Sequence, residues 1–284
     1  MAEVALRDYV TDIDGMIENS AYDAAIHHCR HILMQYPKYL EAYRVLGKAL
    51  LEKDDHPAAG DVFQRVLGVD PEDFVARVGL SIVRDRQGEL DQAIWHMERA
   101  YDLMPSNEII QSELRRLYTR RDGVEPERVS LTRSALARMY AHGDLYVEAI
   151  ANLRQLLHEQ PDRLDLQVLL AEVLWRNEQR IEASDLALAI TAKSPYCLKA
   201  NLILGDILQA SGNGEGETPL RRAQAIDPDN IQAARLFGSD SVLPVRRTVI
   251  TRLEQMSYSQ LLETGGPATD TEEVPDWLRG LAEL

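Results

Sequence analysis

The stretch Pro37–Pro71, PKYLEAYRVLGKALLEKDDHPAAGDVFQRVLGVDP, decides the fold. Leu46-Gly47 and Leu50 fall at helical intervals before a DDHP turn, and Ala59, Phe63 and Val66 do so after it. Two apolar helical faces separated by a tight turn describe one helix–turn–helix hairpin. The segment opens and closes on prolines 34 residues apart, and that interval recurs outward from it. Pro37, Pro71, Pro105, Pro161, Pro195 and Pro228 are spaced by 34, 34, 56, 34 and 33 residues, so one insertion of 22 residues interrupts an otherwise regular array. A short hairpin cannot bury its own apolar face, so a hairpin that recurs at this period must stack on its neighbours as a solenoid.

Other positions keep the same register. Small residues stand where the first helix of each hairpin crosses the second: Gly47, Ser81, Ala137, Ala171 and Gly205, answered by Ala25, Ala59, Ala93, Ala149 and Ala183. Leu46, Leu80, Leu136, Leu170 and Leu204, with Phe63, Met97, Leu153 and Leu220, supply the core between stacked hairpins. Proline then stops each second helix. Over residues 5–238 this pattern resembles the tetratricopeptide repeat family, whose unit has this length and ends in proline. Two departures are Asp12, which replaces the leucine of the first unit, and Arg84 at a position usually apolar.

The resemblance implies an all-α, right-handed solenoid of about six hairpins. Three hairpins are expected over 1–105 and an extra helix and loop over 106–127, with a new helix from near Arg128. Three more hairpins and a capping helix follow over 128–240, then a helical segment over 241–263. An acidic, flexible tail with a short helix at PDWL completes the chain over 264–284.

With 284 residues the chain exceeds the usual single compact core, consistent with an extended array. Its formal charge of −15 disfavours nucleic acid as a partner. The start, MAEVALRDYVTDID, lacks an apolar signal segment, and no window approaches the ~18 apolar residues of a membrane span. Cys29 and Cys197 form no CxxC, which suits a reduced, cytoplasmic setting and no membrane insertion.

In the family, ligands lie along the concave face built by the first helices. The positions that this register assigns to a peptide-binding groove are Arg44, Lys48, Val78, Ile82 and Arg86 in the first half. In the second half they are Arg138, Val168, Glu172, Trp175, Arg176, Leu202 and Asp206. Basic and apolar side chains together suit an acidic peptide with apolar anchors; the alternative is a solvated helix face. One subgroup of the family clamps chaperone C-termini with lysine, asparagine and arginine. Here Lys48 stands in an asparagine position and Ile82 follows in the next repeat, so that clamp is not expected.

Arg115, Arg116, Arg120 and Arg121 gather in the inserted helix, either to complement its C-terminal dipole or to dock an acidic partner. His27 and His31 share a helix face at i and i+4, but no third ligand accompanies them, so neither metal nor other cofactor is expected. No phosphate loop, GxSxG or HExxH occurs, and no enzyme activity is expected. Asp276, Trp277, Leu278 and Leu281 form an amphipathic tail motif after an acidic run. Two functions follow as expectations. One is a non-enzymatic scaffold or adaptor that binds a protein or peptide on its concave face. The other is a self-assembling, homo-oligomeric or autoinhibited subunit whose tail docks in a groove.

Overall fold

A computed structural model describes residues 3–212 and 214–253. A short strand, β1 (Glu3–Ala5), leads into α1 (Leu6–Glu18) and α2 (Tyr22–Gln35). The second and third hairpins are α3 (Leu40–Glu52) with α4 (His56–Val69), and α5 (Phe74–Arg86) with α6 (Leu90–Leu103). A lone helix, α7 (Glu108–Asp122), precedes α8 (Arg133–His142) with α9 (Tyr146–Glu159), α10 (Leu164–Arg176) with α11 (Arg180–Lys193), and α12 (Leu198–Ala210) with α13 (Glu217–Ile226). The capping helix α14 (Ile231–Phe237) and strand β2 (Val249–Thr251) follow. The expected all-α solenoid of six hairpins is present.

Each hairpin turn holds a residue of left-handed backbone in the same register, Ser20, Asp54, Gly88, Asp144, Glu178 and Gly212, and the last turn adds Gly214. The six keep the register of the closing prolines, although only two of them are glycine. The junctions between hairpins share a second device. The side chain six residues after each proline donates to that proline's carbonyl: Tyr43 to Pro37 (2.9 Å), Arg77 to Pro71 (3.0 Å), Gln111 to Pro105 (2.7 Å), Gln167 to Pro161 (2.6 Å) and Asn201 to Pro195 (2.9 Å).

The leucine, phenylalanine and methionine positions form the core as expected, with Leu136 alone half-buried. Phe63 wedges between α3 and α5. A Cβ built on Gly47 would lie 2.5 Å from its ring, and one on Gly79 would be closer still. Glycine at both positions therefore sets how near successive first helices approach.

The insertion breaks the stacking. Both α7 and α8 pack on α6, and α6 and α7 hold a core of their own around Met97, Leu114 and Leu117. The next helix starts at Arg133, not near Arg128, because Thr132 is the residue whose hydroxyl caps it by accepting the Ala135 N–H at 2.9 Å.

The larger correction concerns the C-terminal side. Residues 241–253 are not helical; they return to the start of the chain, where β2 pairs antiparallel with β1, Val4 opposite Ile250. Pro244 and the β-branched run Thr248–Thr251 favour extended backbone. The rest of the expected 241–263 helix lies outside the described residues. Side chains of the first hairpin fix the strand: His31 Nε2 donates to the Thr251 carbonyl (2.8 Å) and the Tyr36 hydroxyl to that of Val249 (3.2 Å). Leu253 N–H donates to the Tyr9 hydroxyl (3.2 Å), which is also hydrogen-bonded to His28 Nδ1 (2.6 Å). Asp12, exposed as a first-repeat departure should be, pairs with Arg252 at 2.8 Å.

Two outcomes follow. Gly79→Ala should cost about 1–3 kcal/mol through overpacking against Phe63, and Phe63→Leu in the same chain should recover part of it in thermal unfolding. An unchanged Tm for Gly79→Ala would mean the ring is not wedged. Burial, with His27, Arg252 and His31 nearby, holds His28 below its ordinary 6.5, so the fold prefers the neutral ring. That stabilisation is full above pH 6.5 and is lost as pH falls through the lowered value. Hydrogen-exchange protection of Val249–Leu253 should therefore fall on acidification, and His28→Gln should flatten the response.

Candidate functional site

The closure turns the concave face of the second half toward the first half. At the α4–α5 junction, Pro71-Glu72-Asp73 projects onto α8, α10 and α12. Glu72 pairs with Arg138 of α8 and with Lys199 of α12 (2.5 Å), and Lys199 also binds Glu172 of α10 (2.6 Å). Arg138 reaches Asp165 at 3.1 Å, Arg163 holds Asp165 at 2.7 Å, and Arg163 also contacts Asp102 of α6 at 3.4 Å. Arg44 pairs with Glu41, Asp73 and Asp70 (3.0 Å).

Burial acts against every charge here, and the balance with partners decides each one. Burial alone would raise Asp165, but Arg163, Arg138 and Arg77 outweigh it and hold the carboxyl well below its usual range. Glu172 is likewise held low by Lys199 and Arg176 against its burial. Burial wins at Asp70, pushed up to about 6 despite Arg44, and at Arg77, brought down to about 10 despite Asp165.

Beside this cluster lie three neighbouring cavities that share lining residues, together called the channel below. A cavity of about 350 Å³ lies where α1, α3, α12 and α14 converge, lined by Arg7, Thr11, Tyr39, Glu41, Arg44, Leu198, Asp227, Gln232 and Arg235. A second, of about 150 Å³, shares Leu198, Gln232 and Arg235 with it and adds Arg176, Leu202 and Leu236. A third, of about 290 Å³, shares Glu172, Arg176 and Lys199 with the second and extends to Arg138 and His142.

The structure divides the twelve groove positions read from the sequence. Arg44, Glu172, Arg176 and Leu202 line the channel. Arg138, expected to be free for a ligand, is 5% exposed and held by Glu72 and Asp165, and Val168 is buried in the core, so these two are corrected. Leu202, 2% exposed, keeps only an edge on the second cavity. Lys48 is paired with Asp14, and Val78 packs on the α6–α7 core. Trp175 donates its indole N–H to Asp206 (2.8 Å), with its ring 4.9 Å from Phe237 and the Arg180 guanidinium above it at 4.4 Å.

Ile82 and Arg86 sit apart, in a cavity of about 510 Å³ with Asp85, Glu113, Arg116 and Arg120. Two of the inserted-helix arginines are taken up there: Arg116 binds Asp85 and Glu113, each at 2.6 Å, and Arg120 binds Asp85. They outweigh partial burial and lower the Asp85 carboxyl. Arg121 pairs with Asp122 (2.7 Å). Asp276, Trp277, Leu278 and Leu281 lie outside the described residues. His31 serves the strand closure, and no metal-holding cluster of His, Cys, Asp or Glu exists among the described residues. No helix among them is long and apolar enough to cross a membrane. Sequence reading missed Glu72, Lys199 and Arg7, none of which falls at a first-helix groove position of the repeat, and Arg235, which follows Pro228 at the interval by which Arg44 follows Pro37 but lies on the capping helix.

A family model, tetratricopeptide repeat, matches residues 16–78. No curated protein matches the chain. Among solved structures, the chain is similar to one in the APC/C hetero-tetramer Cut9-Hcn1 (15% identity, 81% of this chain and 48% of that one, TM-score 0.37), and so spans about half its length. YrrB, described as a TPR protein with an unusual peptide-binding site, is 15% identical over 73% of this chain and 96% of its own (TM-score 0.33). A tetratricopeptide repeat protein from Parabacteroides merdae is 13% identical over 81% and 96% (TM-score 0.38).

Glu72→Gln removes the shared anion from two buried cations, and losing one partner of a buried ion pair costs about 3 kcal/mol or more. Urea unfolding should show a loss of that order. A change within about 0.5 kcal/mol, the range of ordinary surface substitutions, would mean that Glu72 does not hold the two halves together.

Proposed function

We propose that this chain, whose residues 16–78 match the tetratricopeptide repeat model, acts as a non-enzymatic interaction scaffold holding an extended, acidic peptide segment. The site is the channel, and the observation that carries the reading is its lining. Arg7, Arg176 and Arg235 stand in two adjoining cavities with Leu198, Leu202 and Leu236 at the walls, where the carboxylates of Asp8, Glu41, Asp70, Glu172, Asp227 and Asp229 also line the space. Guanidinium groups offer paired donors to carboxylates, and apolar walls take alternate side chains of an extended strand. Of the groove positions read from sequence, Arg44, Glu172, Arg176 and Leu202 belong to this site. Ile82 and Arg86 form a separate, shallower one, and Trp175 with Asp206 flanks the channel.

The buried Glu72 supports the same preference from within. A carboxylate of this chain already sits between Arg138 and Lys199 at one end of the channel. The chemistry that holds it is the chemistry a second carboxylate would meet at Arg7 or Arg235, whereas Arg176 is already paired with Glu172 (3.0 Å).

Selection from a phage-displayed peptide library checks this, using a chain that ends at Gly265 and so keeps every described residue. Peptides carrying Asp or Glu beside Leu or Trp should be enriched, and Arg7→Glu with Arg235→Glu should abolish the enrichment. Equal enrichment on the variant, or none on either chain, would overturn the channel as the binding site.

A further inference from the structure

The cavity where α1, α3, α12 and α14 converge holds unpaired charge of both signs. Arg7 and Arg235, both exposed, meet no acceptor among the described residues. Asp227 and Asp229 take part in no ion pair among them either. Asp227 accepts the Gln232 N–H (2.6 Å), and Asp229, 2% exposed, accepts the Thr248 N–H (2.7 Å). Glu41, a third acid of the lining, is bound by Arg44.

Tyr39 stands among these acids. It is 2% exposed, yet its hydroxyl has no hydrogen-bond partner among the described residues. Burial pushes that hydroxyl above its ordinary pKa, and Glu41, Asp229 and Asp227 push it the same way, with Arg7 opposing. All four of those charges line the cavity, so the hydroxyl faces it. Burial, with Asp229 and Glu41 nearby, likewise raises the Asp227 carboxyl against its N–H bond from Gln232. The buried side of the cavity is therefore negative and short of donors, whereas its exposed side carries two free guanidinium groups.

We propose that this cavity captures the free N-terminal ammonium of an acidic peptide, with Tyr39, Asp227 and Asp229 as its acceptors and Arg7 or Arg235 taking the carboxylate beside it. The inference rests on the channel being a peptide site, and it adds which end of the peptide enters. An ammonium brings three donors and no acceptor. That matches one hydroxyl oxygen and two carboxylates that lack cations. A metal ion is the poorer occupant, because no metal-holding cluster of carboxylates forms among the described residues. Separate N–H bonds, by contrast, reach acceptors that do not converge on one point.

A cavity of about 350 Å³ lies at the small end of ligand pockets, so charges of both signs within it call for a ligand whose own charges lie close together. An N-terminal Asp or Glu has them within one residue. A lysine carries its ammonium on a flexible four-carbon stem, away from the backbone. Leu40, Leu198 and Ile231 in the walls suit an apolar side chain next in the peptide, and capture of a terminal amine is a recurring mode of peptide recognition. The closure helps to build the site, since Thr248, whose N–H holds Asp229, belongs to the returning segment.

Calorimetric titration of the full chain tests this, at a pH below the ~8 where an α-amino group loses its proton. The ligands are the peptide Glu-Leu-Glu-Leu-Glu, its N-acetylated form and free glutamate. The free peptide should bind roughly tenfold more tightly than the acetylated one, the effect of one charge-assisted set of bonds. Tyr39→Phe keeps the ring and removes only the acceptor; it should cut that advantage several-fold and leave the acetylated peptide unaffected. Asp227→Asn should abolish the preference. Equal affinity for the two peptides, or a preference that survives both variants, would overturn the end capture and leave the channel standing. Binding of neither peptide would overturn both readings. Free glutamate binding as tightly as the peptide would overturn the assignment to a peptide end and give the cavity to a small zwitterion.

Discussion

Every junction between hairpins faces the same constraint. A proline ends the second helix, has no N–H to offer, and leaves its own carbonyl turned toward the start of the next hairpin. A side chain six residues further on satisfies that carbonyl, and its chemistry varies freely: tyrosine, arginine, glutamine twice, asparagine. Only a donor of adequate reach is required. Because the donor stands on the next first helix, the bond fixes that helix against the turn, and repetition carries the same geometry along the array. Pro228 has no full hairpin after it. Its carbonyl is taken instead by Arg246 and by the Thr248 hydroxyl at 3.3 Å, both from the segment that returns to the N-terminal strand. The closure thus completes the last junction with residues outside the repeat.

That closure governs the concave face. In an open solenoid the first helices of the second half would face solvent; here they meet the α4–α5 turn, and Glu72 is held between Arg138 and Lys199. Desolvation makes such a cluster expensive to assemble and more expensive to break by one member. It therefore selects one way of bringing the halves together rather than adding much net stability. The wedge at Phe63 acts in the same direction. With Cβ atoms excluded at Gly47 and Gly79, α3 and α5 approach closely, and the turn that carries Glu72 lies between them in the chain.

The repeat itself was legible because its signals are local. Proline spacing, small crossing residues and leucine register each recur within one hairpin, and all found their expected places. The capping helix at Ile231–Phe237 was readable for the same reason. What escaped were pairings between residues far apart in sequence. Val4 with Ile250 is a strand pair of three residues, too short to register as alternation, and 241–253 contains enough apolar side chains to imitate a helix. Lys199 with Glu72 is a contact across 127 positions that no periodicity encodes. The groove positions suffered from the same blindness: the repeat register says that Arg138 and Val168 face inward, but not that the chain itself fills the space they face. Gly79 shows the opposite case, a local signal present but overlooked because Ser81 already satisfied the expected small position.

The channel's arginines matter more because the chain around them is acidic. At physiological ionic strength the field of the remaining charge is screened beyond ~8 Å, so a net charge of −15 repels an acidic segment mainly as it nears the surface. Inside the channel low-dielectric walls weaken that screening, and the nearest charges dominate. On the proposed reading, recognition would depend on contact with Arg7 and Arg235, and an acidic ligand must cross a repulsive margin to reach them, so it has to bring apolar anchors as well as acids.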